Sequence, residues 1–350
     1  MIQAIQGSQN PLNKNIKILI LKNKALGDAV ISLGSIQYLK TLFNKSNLTL
    51  IYGVPQWIYP LFKHVTTDCE KIIPLTWDSA LRNIAQSCDL ILELHQSSFG
   101  KKFFGSIFSL GLKSKYFFHN HHKKFETIII NQGKPLPAIQ RDIEGVWSIL
   151  RHLNMTNLSC PSPSEFLNFP PRLIPQGLST IQKKPQIILG VVASRKTKNW
   201  PFHYFEQLCH FIKKNYPHFE IIAPLSPKPE DQNLTSIISQ FARPVTLPLE
   251  ELPQLFSESS AYIGNDTGLK HLAVATGLPT LTFFGPDGPH EWHPYDQKKH
   301  PYLFCEPLPC RTRQSHFCGL STCSHHICLE AITPAIAELY LPQILGPIHK

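Results

Sequence analysis

Apolar and polar positions follow two recurring rhythms along the chain: short, nearly unbroken apolar runs, and longer stretches with helical spacing. IKILIL at 16–21 is interrupted only by Lys17 and predicts a strand buried on both faces. From Asp28 the period lengthens. Val30, Leu33, Ile36, Tyr38 and Leu39 recur near helical spacing, so KALGD predicts a turn from strand into helix. LTLIYG (48–53), EKIIPL (70–75) and DLILELH (89–95) predict further strands, with weaker ones at YFFHN (116–120) and TIII (127–130). Residues 134–155 begin as a proline-containing loop and continue as an amphipathic helix with Ile143, Val146, Trp147, Leu150 and Leu153 on one face.

NLSCPSPSEFLNFPPRLIPQG (157–177) is proline-rich without a period and predicts a linker. Beyond it the theme repeats. QIILGVVAS (186–194) and FEIIAPLS (219–226) read as strands, WPFHYFEQLCHFIKKNYP (200–217) as a helix started by Pro201, and EDQNLTSIISQFA as another helix. LPQLFSESS is helical, AYIGN a short strand, GLKHLAVAT a helix and PTLTFFG a strand. Strands alternating with helices imply parallel sheets. The expectation is an α/β protein of two Rossmann-like, doubly wound domains, 1–170 and 171–350, facing each other across a cleft. The C-terminal helix is left free to pack back on the first domain. Ligands of such sheets bind outside the carboxyl ends of the strands.

Composition sharpens this picture in three ways. The 350 residues are 42% hydrophobic, which fits globular domains and excludes a disordered chain. A formal net charge of +10 favours anionic partners. The polar N-terminus lacks the apolar core of a signal peptide, and no apolar run is long enough to span a bilayer, so a cytoplasmic protein is expected. Its nine cysteines then read as thiols or metal ligands.

Four stretches offer chemistry. Asp28 follows the first strand, where it serves either as a helix N-cap or as a carboxylate able to take a proton from a sugar hydroxyl. SRKTKNWP (194–201) holds the equivalent place in the second half, and its Ser194, Arg195, Lys196, Thr197 and Lys198 suit a pyrophosphate. In GNDTGLKHLAVATG, Asp266 or Thr267 caps a helix whose buried side is assigned to Leu269, Leu272 and Ala273. The first N–H groups, of Thr267, Gly268 and Leu269, then form an anion site. His271, one turn further, reads equally as core or as ligand contact. Cys305, Cys310, Cys318, Cys323 and Cys328, with His316, His325 and His326, crowd one segment without a C-x2-C pair, so a zinc ribbon is weakly signalled and reduced thiols are favoured.

Taken together, KALGDAVISLGSIQYLK, SRKTKNWP, GNDTGLKHLAVATGLPTLTFFGPDGPHEW and the late PCR…C…C…CLEAI resemble the heptosyltransferases of glycosyltransferase family 9, in matching order over nearly the whole chain. The resemblance implies a GT-B fold, an ADP-heptose donor bound mainly by the C-terminal domain, and an acceptor held by the N-terminal one. It also implies inversion in a single displacement, with no cofactor and no obligatory metal. Asp28 would be the general base. Lys198 would neutralise the leaving diphosphate, with Ser194 adding a hydroxyl. Asp266, Thr267, Gly268 and His271 would form the diphosphate turn, Asp266 organising it, and Glu250 would lie near the nucleoside. On the acceptor side Ser32 and His95 are the positions offered.

The chain departs from the family pattern there: Ile31, Ser32, Leu33 and Gly34 stand where many members have His-Thr-x-Pro, and Glu93-Leu94-His95-Gln96 replaces an acidic-glutamine pattern. HNHHKK (119–124) has no counterpart; it reads as an exposed loop, or as a contact for acceptor phosphates or the anionic membrane face. The implied partner is an anionic glycolipid of the lipopolysaccharide core at the inner leaflet of the inner membrane, not nucleic acid. A GT-B enzyme with another nucleotide sugar, and a non-catalytic nucleotide-sugar-binding protein, stay as alternatives.

Overall fold

The computed structural model describes residues 15–43, 47–107, 110–119, 137–177, 182–308, 310 and 323–348. The TIII run, most of HNHHKK and the middle of the cysteine segment lie outside them. Two separate parallel sheets form. The first contains β1 (Ile16–Leu21), β2 (Leu48–Pro55), β3 (Lys71–Leu75), β4 (Leu90–Glu93) and β5 (Tyr116–Phe118), in the order β3-β2-β1-β4-β5. The second contains β6 (Gln186–Gly190), β7 (Glu220–Leu225), β8 (Arg243–Thr246), β9 (Ala261–Asn265), β10 (Thr280–Phe284) and β11 (Tyr302–Phe304), in the order β8-β7-β6-β9-β10-β11. In each sheet the third, second, first, fourth and fifth strands lie side by side. The winding therefore reverses between the first and fourth strands, and that reversal opens a crevice at the carboxyl edge. The loops leaving β4, β6 and β9 carry His95, the 194–198 run and Asp266, and Asp28 stands in the first turn of the helix that follows β1. Three of the four stretches, together with His95, thus reach a switch point.

Apolar alternation explains the layers. Ile18, Ile20, Leu50 and Tyr52 point to one face of the first sheet, where α1 (Leu26–Ile31) and α2 (Leu33–Leu42) cover them. Leu19, Leu21, Ile51 and Ile91 point to the other face, under α3 (Ser79–Ser87) and α4 (Ser98–Lys102). In the second sheet the outer face packs α6 (Phe202–Asn215) around the buried Trp200. The inner face carries α7 (Leu252–Glu258) and α8 (Gly268–Ala275), and its core is continuous with the α1–α2 layer of the first sheet. Leu341 and Ile344 also enter the outer core of the second sheet, and Tyr216 donates to the Gly346 carbonyl at 3.2 Å. The C-terminal helix is therefore fastened to the second half rather than folded back on the first.

Local differences from the sequence reading have physical causes. The run after β1 starts its helix at Leu26 with Ala25 at the N-cap, so Asp28 lies inside the first turn and is not the cap. The 230–242 run divides into single turns, Pro229–Gln232 and Thr235–Ile238, while Asp231 turns back to accept from Ser226 N and Oγ. The strands β8 and β11 lie at sheet edges, are short and are only partly buried, and so lack the apolar run that marks the others. The proline-rich 157–177 segment is ordered. Ser162 and Glu165 form a capping box, and Ile174–Pro175 pairs antiparallel with Val65–Thr66. Leu173 N then donates to Ala275 O at 2.9 Å, tying the crossover to the end of α8.

The helix α5 (Ala138–His152) packs against α2 at Gly34, where a Cβ would collide with the Ile139 side chain and the Phe169 carbonyl oxygen. Glycine at this position lets the crossover press on α2. Gly34→Ala should therefore destabilise the protein by about 1–3 kcal/mol through overpacking, read as a lower urea midpoint at unchanged slope.

Candidate functional site

The site is assembled where two helix starts meet. A Cβ added to Gly27 would lie 2.8 Å from His271 Cδ2, and one added to Gly268 would lie 2.7 Å from Leu26 Cδ2 and 3.2 Å from Gly27 N. Only glycine at both places allows α1 of the first half and α8 of the second to abut. Asp28 follows Gly27 directly, so it stands beside the first turn of α8.

The GNDTG turn is held by buried charge. Asp266, 4% exposed, accepts Lys198 Nζ at 2.6 Å on Oδ2 and Lys270 Nζ at 2.5 Å on Oδ1. Burial alone would raise its pKa, yet Lys198 and then Lys270 hold it well below the ordinary carboxylate range. Lys270 is fully buried, over the Phe284 ring at 4.5 Å, and burial pushes it down to about 8. Lys198 keeps a raised pKa against its burial because Asp266 and Asp287 attract the proton. Asp287 accepts Lys198 at 2.8 Å and Arg195 at 2.7 Å. Three cations thus face two carboxylates, which leaves one formal positive charge beside the first N–H groups of α8, themselves without intrahelical partners. Thr267 occupies the N-cap position without a side-chain cap bond.

A second buried network lies under Asp28. Asp142, from α5, accepts Lys22 Nζ at 3.0 and 2.9 Å and Ser32 Oγ at 2.5 Å, and His119 Nε2 lies 3.4 Å from its Oδ1. Burial would lift the Asp142 pKa, but Lys22 first, then His119 and Ser32, pull it below the ordinary range. Tyr52 donates to Ala29 O at 2.8 Å, so α1 is anchored along its length. Asp28 has a raised pKa, chiefly from burial; Asp142 adds to the rise, while Lys22, Arg141 and Lys24 oppose it.

The predicted residues sort clearly. Asp28, Lys198, Asp266, Thr267, Gly268 and His271 come together. His271 is buried, its Nδ1 2.6 Å from the Tyr295 hydroxyl, and burial keeps it neutral by lowering its pKa. It packs between the halves rather than opening to a ligand. Ser194 is exposed on the loop after β6. Glu250 pairs across the halves with Lys63 at 3.4 Å. Ser32 is fully buried in the Asp142 network, beneath the site surface. His95 leaves β4 with a left-handed backbone, φ 68°, beside Glu93, whose carboxylate is taken by Ser97 and Tyr116.

Sequence reading missed Lys270, Lys22, Asp142, Asp287 and the Arg141–Glu291 ion pair that joins α5 to α9 (Pro289–Trp292). Leu272 and Ala273 are fully buried and Leu269 packs partly buried against the same core, as expected, but Lys270 is fully enclosed as well. The Asp266-x-x-x-Lys270 spacing of a helix ion pair was the available signal. Among the described residues no group of three His, Cys, Asp or Glu gathers to hold a metal ion.

A family model described as glycosyltransferase family 9 (heptosyltransferase) matches residues 143–320. The chain is similar to lipopolysaccharide heptosyltransferase 1 of Campylobacter coli, 28% identical over 33% of this chain and 35% of that protein. It is similar too to lipooligosaccharide heptosyltransferase 2 of Haemophilus influenzae, 22% identical over 43% of this chain and 44% of that protein. These matches therefore span less than half of the curated relatives' length. Its fold is similar to that of E. coli ADP-heptose lipopolysaccharide heptosyltransferase II, with a TM-score of 0.64 and 18% identity over 94% of this chain and 98% of that one. It is also similar to that of E. coli heptosyltransferase WaaC with ADP-2-deoxy-2-fluoro heptose, with a TM-score of 0.58 and 14% identity over 93% and 99%. The GT-B expectation is met.

Asp266→Ala would leave the fully buried Lys270 ammonium without its carboxylate, while Lys198 would keep Asp287. It should cost about 3–5 kcal/mol of stability, measured by urea unfolding, whereas Ser194→Ala on the exposed loop should stay within about 0.5 kcal/mol of the parent.

Proposed function

The chain belongs to glycosyltransferase family 9, the heptosyltransferase family, and on that footing we propose that it moves a heptose from ADP-L-glycero-D-manno-heptose to the inner core of lipopolysaccharide. The observation that carries this reading is the placing of one proton-accepting carboxylate, Asp28, against the anion-receptive start of α8. Residues 1–170 hold the acceptor and 171–350 the donor. The similarity in fold to E. coli heptosyltransferase WaaC with ADP-2-deoxy-2-fluoro heptose supports the choice of donor. The names of the curated relatives support lipopolysaccharide as acceptor. The chain works at the inner leaflet of the inner membrane, on an anionic glycolipid.

In this reaction an acceptor hydroxyl oxygen bonds to the anomeric carbon while its proton passes to an Asp28 carboxylate oxygen. The bond to the diphosphate oxygen breaks on the opposite face, ADP leaves with the electron pair, and the configuration inverts. The N–H groups of Thr267, Gly268 and Leu269 and the ammonium of Lys198 stabilise the charge that develops on the diphosphate. The three N–H bonds of Lys198 are directed to Asp266 Oδ2, Asp266 O and Asp287 Oδ2. The donor therefore takes one of them over, and Asp287, shared with Arg195, is the acceptor it displaces. Asp266 never touches phosphate; it holds the two lysines in place.

Burial makes Asp28 a stronger base than a free carboxylate. Transfer should accordingly decline on acidification at a pH above the ordinary carboxylate range. Asp28→Asn should reduce transfer by about 10²–10⁴-fold with ADP affinity unchanged, measured by mass spectrometry of core-defined lipid A acceptors and by calorimetry. Near-parental turnover in that variant would remove Asp28 as the base. Asp142→Asn withdraws a negative charge and leaves Lys22 unpaired, so it should move the acidic limb of the rate profile to lower pH.

A further inference from the structure

The carboxyl edge of the first sheet carries a second feature that sugar transfer does not use. Trp57 and Trp77 are 62% and 53% exposed, whereas Trp200 is fully buried. Pro55 and Leu75 face each other in the β2–β3 register, and each exposed tryptophan lies two residues past that rung. The Trp77 ring is backed edge-on by Phe99 at 4.8 Å and Phe103 at 5.4 Å, so its exposed side is held outward on a firm aromatic base. Phe99 belongs to α4, the short helix that leaves β4, and the same helix exposes Lys101 and Lys102. Lys24, half-buried, stands on the loop between β1 and Asp28. The acidic side chain in this row is Asp78, whose carboxylate is engaged in capping α3 through Leu81 N at 3.0 Å.

Indole rings flanked by lysines have the composition of a surface that meets lipid headgroups: the rings enter the interfacial layer and the ammonium groups attract anionic lipid. The location selects the same partner. A glycolipid acceptor keeps its acyl chains in the bilayer while its sugar reaches Asp28, so the edge bearing Asp28 must face that bilayer. Among the described residues no helix is long and apolar enough to cross a membrane. We propose that Trp57, Trp77, Lys101 and Lys102 seat the carboxyl edge of the first sheet on an anionic lipid bilayer, with the site mouth turned toward the headgroups. The inference rests on the glycolipid acceptor of the proposed function, but its test needs neither donor nor acceptor.

The experiment is sedimentation of the full-length protein with vesicles of phosphatidylglycerol and phosphatidylcholine, against vesicles of phosphatidylcholine alone. The parent should partition onto the anionic vesicles with a blue shift of tryptophan emission. The double variant Trp57→Ala/Trp77→Ala and the double variant Lys101→Glu/Lys102→Glu should each bind at least about tenfold more weakly. Their rates on a deacylated, water-soluble acceptor should match the parent. Equal binding to neutral and anionic vesicles, or unchanged binding by the lysine variant, would overturn the proposal. If the tryptophan variant instead loses rate on the soluble acceptor while still binding vesicles, the rings hold sugar and the bilayer assignment fails. Should removal of Trp77 disturb folding, the lysine pair, on the surface of α4, decides the matter alone. Absence of heptose transfer with vesicle binding intact would count against the proposed reaction and leave the surface standing.

Discussion

A carboxylate enclosed with two ammonium groups is the constraint from which the rest of the site follows. Asp266 cannot be buried as an isolated charge, because the desolvation cost would be several kcal/mol. Lys198 arrives from the loop after β6 and Lys270 from one turn inside α8, and both are held on its two oxygens. The position of Lys198 fixes the 195–198 loop, and that of Lys270 fixes the first turn of α8. Lys270 also donates to Trp292 O at 2.7 Å, which binds α9 to the same point. From α9, Glu291 reaches Arg141 on α5, and the neighbouring Asp142 supports α1 and Asp28. One run of buried charge thus links the GNDTG turn of the second half to the proposed base of the first.

That run crosses the interface between the halves, and apolar packing follows it. Ile31, Tyr38, Ile139, Val274 and Tyr295 share one cluster, and the Gly27–Gly268 approach lets the two helix starts touch. A small displacement between halves would separate buried ions as well as apolar surfaces, so the geometry around Asp28 resists gradual drift. The crossover strengthens this, since Leu173 is hydrogen-bonded to the end of the helix whose start carries the GNDTG turn.

Much of the fold was legible because its strands are apolar runs and the groups of interest follow them. Asp28, Lys198 and Asp266 stand immediately beyond β1, β6 and β9, so position in the alternation was enough to find them. The edge strands β8 and β11 were missed because their partial burial demands no apolar run, and β8 includes Pro244. Lys22 and Asp142 were illegible for another reason. Each is a single charge in a locally ordinary context, 120 residues apart, and only tertiary packing makes them a buried pair. Ser32 shows the converse error: the motif pointed to the right residue, while burial gave its hydroxyl to Asp142 and not to the site surface. Lys270 was hidden by the habit of reading a lysine as solvated, although its spacing from Asp266 announced a partner.

The saturated Lys198 has a bearing on turnover. Asp287 stays within reach of Lys198 and Arg195 as a resident anion, so neither cation stands without a counter-charge. An incoming ligand gains only the difference between two anions, and a neutral sugar has nothing to offer in exchange. In the proposed reaction the same carboxylate would compete with the departing ADP for both cations.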